Sequence, residues 1–114
     1  MTTIYGIKNC DTMKKAFAWL EDKGVSYDFH DYKKDGVDER VLNDALIQHG
    51  WEAVINRRGT TWRQLPDNVK DTMDDTKAVG IALDNPSIIK RPLLLRDGEI
   101  HFGFKPQQYA EIFK

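Results

Sequence analysis

The sequence predicts an α/β fold: a mixed sheet of about four strands with flanking helices and an inserted helical region. Three observations predict it. Residues 2–7 read as a strand that gives way, just after Cys10, to a helical pattern, and residues 25–32 alternate again. Two apolar runs, Leu93-Leu94-Leu95 and Ile100-His101-Phe102, flank Asp97-Gly98, a dipeptide suited to a two-residue hairpin. Between these flanks the chain is polar and helical in character, with no alternating run.

Each element has a local reason. Met13, Ala16, Phe17 and Leu20 recur at helical spacing, and Gly24 is placed to end that helix. Val25, Tyr27, Phe29 and Asp31 alternate as a strand whose last position is in water. Asp35-Gly36 supplies a turn, and Asp38 can cap a helix carrying Val41, Leu42, Ala45 and Leu46 as far as His49-Gly50. Residues 51–85 read as short helices joined by polar loops, one of them running from about 74 to 83. Pro106 opens a closing helix with Tyr109, Ala110 and Phe113. The order β-α-β, helical insertion, β-β-α is that of a thioredoxin-like domain. Its core covers about 1–35 and 88–114, with the insertion at about 36–87, and no repeat or linker splits the single domain 1–114.

Composition narrows the partners. The chain has 114 residues, 40% hydrophobic and 31% charged, which suits one folded domain with one core. Seventeen basic and eighteen acidic residues give a net charge of −1, which argues against coating nucleic acid or an anionic membrane. No apolar run approaches a bilayer span, and the beginning of the chain lacks a basic segment followed by an apolar stretch. One cysteine cannot staple the fold, so a reducing, cytoplasmic setting is expected.

That cysteine is the most informative residue. At a strand-to-helix junction, unpaired backbone N–H groups and the positive end of the helix stabilise a thiolate, so the pKa can fall below the free value of about 8.5. A small buried hydrophobe is the equal alternative on position alone.

Four segments in order carry a family resemblance: Gly6-Ile7-Lys8-Asn9-Cys10-Asp11-Thr12, Asn56-Arg57-Arg58-Gly59-Thr60-Thr61-Trp62-Arg63, Ile89-Lys90-Arg91-Pro92-Leu93 and Gly103-Phe104-Lys105. Together they resemble the ArsC/Spx family of arsenate reductase-like proteins, most closely its YffB-like branch. The resemblance implies a thioredoxin-like fold, a catalytic Cys10, and thiol chemistry with glutathione as co-substrate. It implies that Arg91, before a cis proline at Pro92, and the Arg57/Arg58 region hold an anionic substrate, with Lys105 beside them and Asp11 and Thr12 at the thiol. Arginine suits such anions because its planar fork donates two parallel hydrogen bonds. The implied partners are glutathione or a glutathionylated small molecule or protein, with glutaredoxin a further one.

Two departures from better-known members shape the expected chemistry. Met13 stands where a Cys-x-x-Cys pair would have its second thiol, so the resolving thiol comes from another molecule. Asp11 stands where the arsenate reductase branch has glycine, and its carboxylate would repel an oxyanion, although capping the helix is the commoner role for an Asp there. His30, His49 and His101 lack metal-ligand spacing, so no metal is expected. Trp19, Trp51 and Trp62 read as packing residues rather than a stacking platform. The expected function is a cytoplasmic glutathione-dependent thiol reductase that passes through a mixed disulfide on Cys10. The alternative is a redox-linked binding protein of Spx type contacting RNA polymerase, weakened by the missing Cys-x-x-Cys switch.

Overall fold

The computed structural model describes residues 1–114 and places strands β1 (Thr2–Gly6), β2 (Asp28–Asp31), β3 (Leu93–Arg96) and β4 (Glu99–Phe102) in one sheet of order β2-β1-β3-β4. β1 runs parallel to β2 and antiparallel to β3, and β3 is antiparallel to β4, so the sheet is mixed. Ile4 sits opposite Phe29 on one side and Leu94 on the other, and Ile4 and Leu94 are fully buried. Together with α1 (Asp11–Asp22) and α8 (Pro106–Ile112), described below, this sheet has the predicted thioredoxin-like arrangement.

Two units can be described, residues Met1–Asp31 with Arg91–Lys114, and residues Tyr32–Lys90. In the first, a parallel β1–β2 pair requires a crossover, and α1 supplies it. Met13, Ala16 and Leu20 are its fully buried stripe and pack with Ile4, Leu94 and Tyr109 as the core. The helix ends in a Schellman motif. Gly24, at φ 68°, donates its N–H to the Glu21 carbonyl, and Val25 donates to the Leu20 carbonyl at 2.9 Å. Val25 is thereby committed to closing the helix, which is why β2 begins at Asp28 and not at residue 25 as the alternation predicts. The strand also ends early, since Tyr32 opens the one-turn helix α2 (Tyr32–Asp35), and Asp31 is half-buried and not in water.

The hairpin turn has positive φ at both central residues, 51° at Asp97 and 85° at Gly98, as a type I′ turn demands. The N-terminal ammonium donates to Asp97 Oδ1 at 3.0 Å and so ties the start of the chain to this turn. Pro106 lies in the first turn of α8 as expected, but the inward positions differ from the prediction. Ala110 is exposed, whereas Tyr109 is fully buried with Ile112 and Phe113 partly buried around it. Trp19 and Phe104 meet the Tyr109 ring edge-on at 5.6 and 4.7 Å, so Trp19 does pack as the sequence suggests.

The second unit holds α2, α3 (Glu39–His49), α4 (Trp51–Val54), α5 (Thr60–Arg63), α6 (Asp67–Asp71), α7 (Asp75–Asp84) and a single 3-10 turn at Pro86–Ile88. Asp38 caps α3 by accepting from the N–H groups of Arg40 and Val41, and Asp74 caps α7 through Lys77 N–H at 2.8 Å. Leu42, Ala45, Val54, Ile55, Ala78 and Ile89 are buried within it. Within it Ile55 and Ile89 form an antiparallel bridge, with Asn56 N–H donating to the Ile88 carbonyl at 2.7 Å and Lys90 N–H to the Val54 carbonyl at 2.9 Å. No helix in the chain is long and apolar enough to cross a membrane.

The Tyr109 hydroxyl is buried without a hydrogen-bond partner, and burial pushes its pKa well up from the usual phenol range. An unsatisfied buried hydroxyl carries its desolvation cost uncompensated. Tyr109→Phe is therefore expected to leave thermal stability unchanged or raise it by up to about 1 kcal/mol. A calorimetric loss larger than that would contradict this reading of the core.

Candidate active site

The site begins with a glycine. At the end of β1, a Cβ on Gly6 would lie 2.6 Å from Met13 Sδ and 3.7 Å from Arg91 Cγ, so only glycine lets the first turn of α1 and the stem of Arg91 approach the strand this closely. Met13 is fully buried in that contact. The residue that stands where a second thiol would be is thus a core plug.

Cys10 is the N-cap of α1, with extended φ and ψ of −141° and 132°, and its carbonyl accepts the first helical bond from Lys14 N–H at 3.0 Å. This corrects the capping role considered for Asp11, which is exposed in the first turn of the helix. The N-cap is defined by where helical φ and ψ begin, and that boundary falls one residue earlier than the acidic side chain would suggest.

Its surroundings pull in opposite directions. Partial burial pushes the Cys10 thiol up, but the nearby backbone N–H groups of Met13 and Thr12 and the Arg91 guanidinium favour the thiolate, although no cap hydrogen bond to Sγ is formed. The positive charge of Arg91 adds to them, and the balance leaves the thiol below its ordinary value. The peptide bond between Arg91 and Pro92 is cis, as the resemblance implies. Pro92 is buried, and its carbonyl accepts from Gly103 N–H at 3.0 Å, which joins the end of β4 to the loop bearing Arg91.

The structure thus brings Cys10, Thr12 and Arg91 together, with Asp11 adjacent in the chain. Lys105 is exposed at the N-cap of α8 in the same unit. Arg57 and Arg58 lie in the other unit and are exposed. Arg57 stands over the Trp51 ring at 5.6 Å and 3.9 Å from Glu52, while Arg58 N–H donates to Asn56 Oδ1 at 3.1 Å. Trp51 and Trp62 stack at 6.0 Å, so both are packed against each other. Sequence reasoning overlooked Gly6 and Met13 as the pair that sets the thiol's position. A glycine closing a strand four residues before the cysteine was the available signal.

Residues 5–112 match the model of the ArsC family. The solved structure of the YffB protein superposes with a TM-score of 0.93 at 49% identity, over 97% of each chain. An arsenate reductase (ArsC) related protein from Brucella melitensis gives 0.78 at 54% identity, over 99% of this chain and 94% of its own. The global transcriptional regulator Spx of Streptococcus agalactiae is 24% identical over 110 residues, 95% of this chain and 80% of its own.

Because the folded-state pKa of Cys10 is lowered, its thiolate is present at pH values where an unfolded chain would be protonated. The stability this contributes is full above the free-thiol pKa of about 8.5 and is lost as pH falls through the folded value. The alkylation rate of the native protein should accordingly rise with pH to a plateau whose midpoint lies below about 8.5, and Arg91→Met should move the midpoint upward. A wild-type midpoint at or above the free value would refute the electrostatic account.

Proposed function

The chain belongs to the ArsC family, and from that premise we propose that it is a glutathione-dependent thiol reductase with Cys10 as its nucleophile. The observation that carries this reading is the placing of Cys10: a free, half-buried thiol at the N-cap of α1, where the backbone N–H groups of Thr12 and Met13 and the Arg91 guanidinium favour the thiolate. Such an arrangement stabilises a thiolate and costs little reorganisation when charge shifts between sulfurs.

The chemistry balances with glutathione as the only co-reactant. Cys10 Sγ, as thiolate, attacks the glutathione sulfur of a mixed disulfide R–S–S–G. A new disulfide forms between Cys10 Sγ and the glutathione sulfur, the S–S bond of R–S–S–G breaks, and its electron pair leaves on R–S⁻, which takes a proton from water. A second glutathione thiolate then attacks the glutathione sulfur on Cys10, releasing oxidised glutathione and restoring the Cys10 thiolate. Since the position of a second thiol is filled by buried Met13, the resolving step belongs to glutathione or to glutaredoxin. Arg91 stays beside Sγ through both displacements, and Lys105, in the same unit, is the further candidate for the carboxylates of glutathione. A thiol that must stay reduced between turnovers fits a reducing, cytoplasmic setting.

The similarity to Spx over 95% of the chain supports one other reading, a regulatory protein that docks on RNA polymerase. The two differ in what they do with a mixed disulfide. Turnover of the glutathione mixed disulfide of 2-mercaptoethanol, abolished by Cys10→Ser and slowed roughly a hundredfold by Arg91→Met, is expected of the reductase. No turnover, together with retention on RNA polymerase, would replace it with the regulator.

Asp11 bears on the choice of substrate. Directly after the nucleophile, its exposed carboxylate repels an incoming arsenate more than a mixed disulfide whose charges lie away from the attacked sulfur. Asp11→Asn should therefore raise arsenate turnover by a larger factor than mixed-disulfide turnover. Efficient arsenate reduction by the unaltered chain would defeat this expectation.

A further inference from the structure

The face of α1 that begins at Cys10 has a feature the thiol chemistry leaves unused. Lys14, Phe17 and Glu21 follow Cys10 at four, seven and eleven residues, the spacing of one helix face, with Ala18 beside them. That face, with Lys8 from the loop before Cys10 and with Tyr27 and Phe29, walls an open groove of about 400 Å³. The size falls within the range of about 300–1,000 Å³ at which clefts hold ligands. Its apolar wall is aromatic: Phe17 stacks on Tyr27 at 5.8 Å and meets Phe29 edge-on at 5.0 Å. All three rings are half-buried, resting on the core on one side and open to the groove on the other.

The charges are arranged unevenly along it. Glu21, toward the far end, lies near the Tyr27 hydroxyl, whose pKa is pushed up by partial burial and then by that carboxylate. Lys8 and Lys14, nearest the thiol, are exposed and make no ion pair. The groove is thus cationic beside Cys10 and aromatic farther on. Phe17 lies seven helical steps from Cys10, about 10 Å along the axis, a distance an extended peptide covers in about three residues.

We infer that this groove seats the peptide next to the substrate's modified cysteine, favouring glutathionylated polypeptides with an acidic residue beside that cysteine and an aromatic residue about three positions away. The acidic residue would meet Lys8 and Lys14, and the aromatic ring would lie on Phe17 and Tyr27. Glutathione has no apolar side chain to fill the aromatic part, so peptide binding here is separate from glutathione recognition at Arg91. The inference rests on the reductase reading of Cys10 and names its substrate class.

The test uses the full chain and three substrates: the small 2-mercaptoethanol mixed disulfide, a glutathionylated peptide of sequence Cys-Asp-Ala-Phe, and its control Cys-Lys-Ala-Ala. Wild-type kcat/KM should favour the acidic aromatic peptide over the control by about tenfold or more. Lys14→Glu and the groove-filling Ala18→Gln, both at exposed helix positions, should each reduce that preference at least fivefold, to about twofold or less, with the small disulfide normalising every variant. Binding of fluorescent, unmodified forms of the two peptides to the Cys10→Ser chain is measured in parallel. Equal rates and equal binding for the two peptides would overturn the inference, as would variants that change all three substrates alike or that shift only the self-association of the chain. Absence of turnover with every substrate would overturn the reductase reading alone, because the peptide preference in binding would still decide the groove.

Discussion

The contact between Gly6 and Met13 is the constraint on which the site depends. With no side chain on Gly6, the Met13 thioether fills the space where a Cβ would be, 2.6 Å from Sδ. That packing holds the first turn of α1 against the end of β1 and so decides which backbone N–H groups face the sulfur of Cys10. The stem of Arg91 passes the same glycine, 3.7 Å from the same point. Core packing and thiol activation are therefore parts of one arrangement, and close packing makes such contacts sensitive to a single added methyl.

Burial works against this arrangement, because a half-buried thiolate loses hydration. For Cys10 that loss is the largest single influence, and it is exceeded only by the combined effect of Met13, Thr12 and Arg91. The consequence is a division of labour. The two N–H groups are fixed by the helix and cost nothing to orient, whereas the guanidinium brings a full charge that the loop before Pro92 must hold in place. Losing Arg91 would leave the desolvation intact with less to offset it.

How much of this was legible in the sequence depended on how local each cause is. Asp38, Asp97-Gly98, Gly24 and Pro106 act within a turn of their own position, and all four mark element ends in the structure. The start of β2 was misplaced because Val25 has two local uses, and closing the helix through Leu20 took precedence over the strand. The cap was misplaced because residue preference pointed to Asp11, while the backbone makes its turn at Cys10. Met13 could be read from sequence only as an absent cysteine, since its contact with Gly6 depends on how the helix folds back on the strand. Phe17 looked like a core residue by its spacing, yet it is half-buried, a distinction that depends on how β2 and its approach lie against α1.

The placement of Met13 also constrains the proposed thiol chemistry. In a two-thiol site the second cysteine resolves the mixed disulfide from within, and the partner is released without waiting for another molecule. Here that position is fully buried and occupied by a side chain that the strand needs. In the proposed reductase a mixed disulfide on Cys10 persists until an outside thiol reaches it, so the lifetime of that state is set by access to the exposed side of the N-cap. The same exposed side carries Asp11 and leads along Lys14 to the aromatic face of α1. Groups that never touch the transferred electrons are thus positioned to influence which thiol arrives and how long the first one stays.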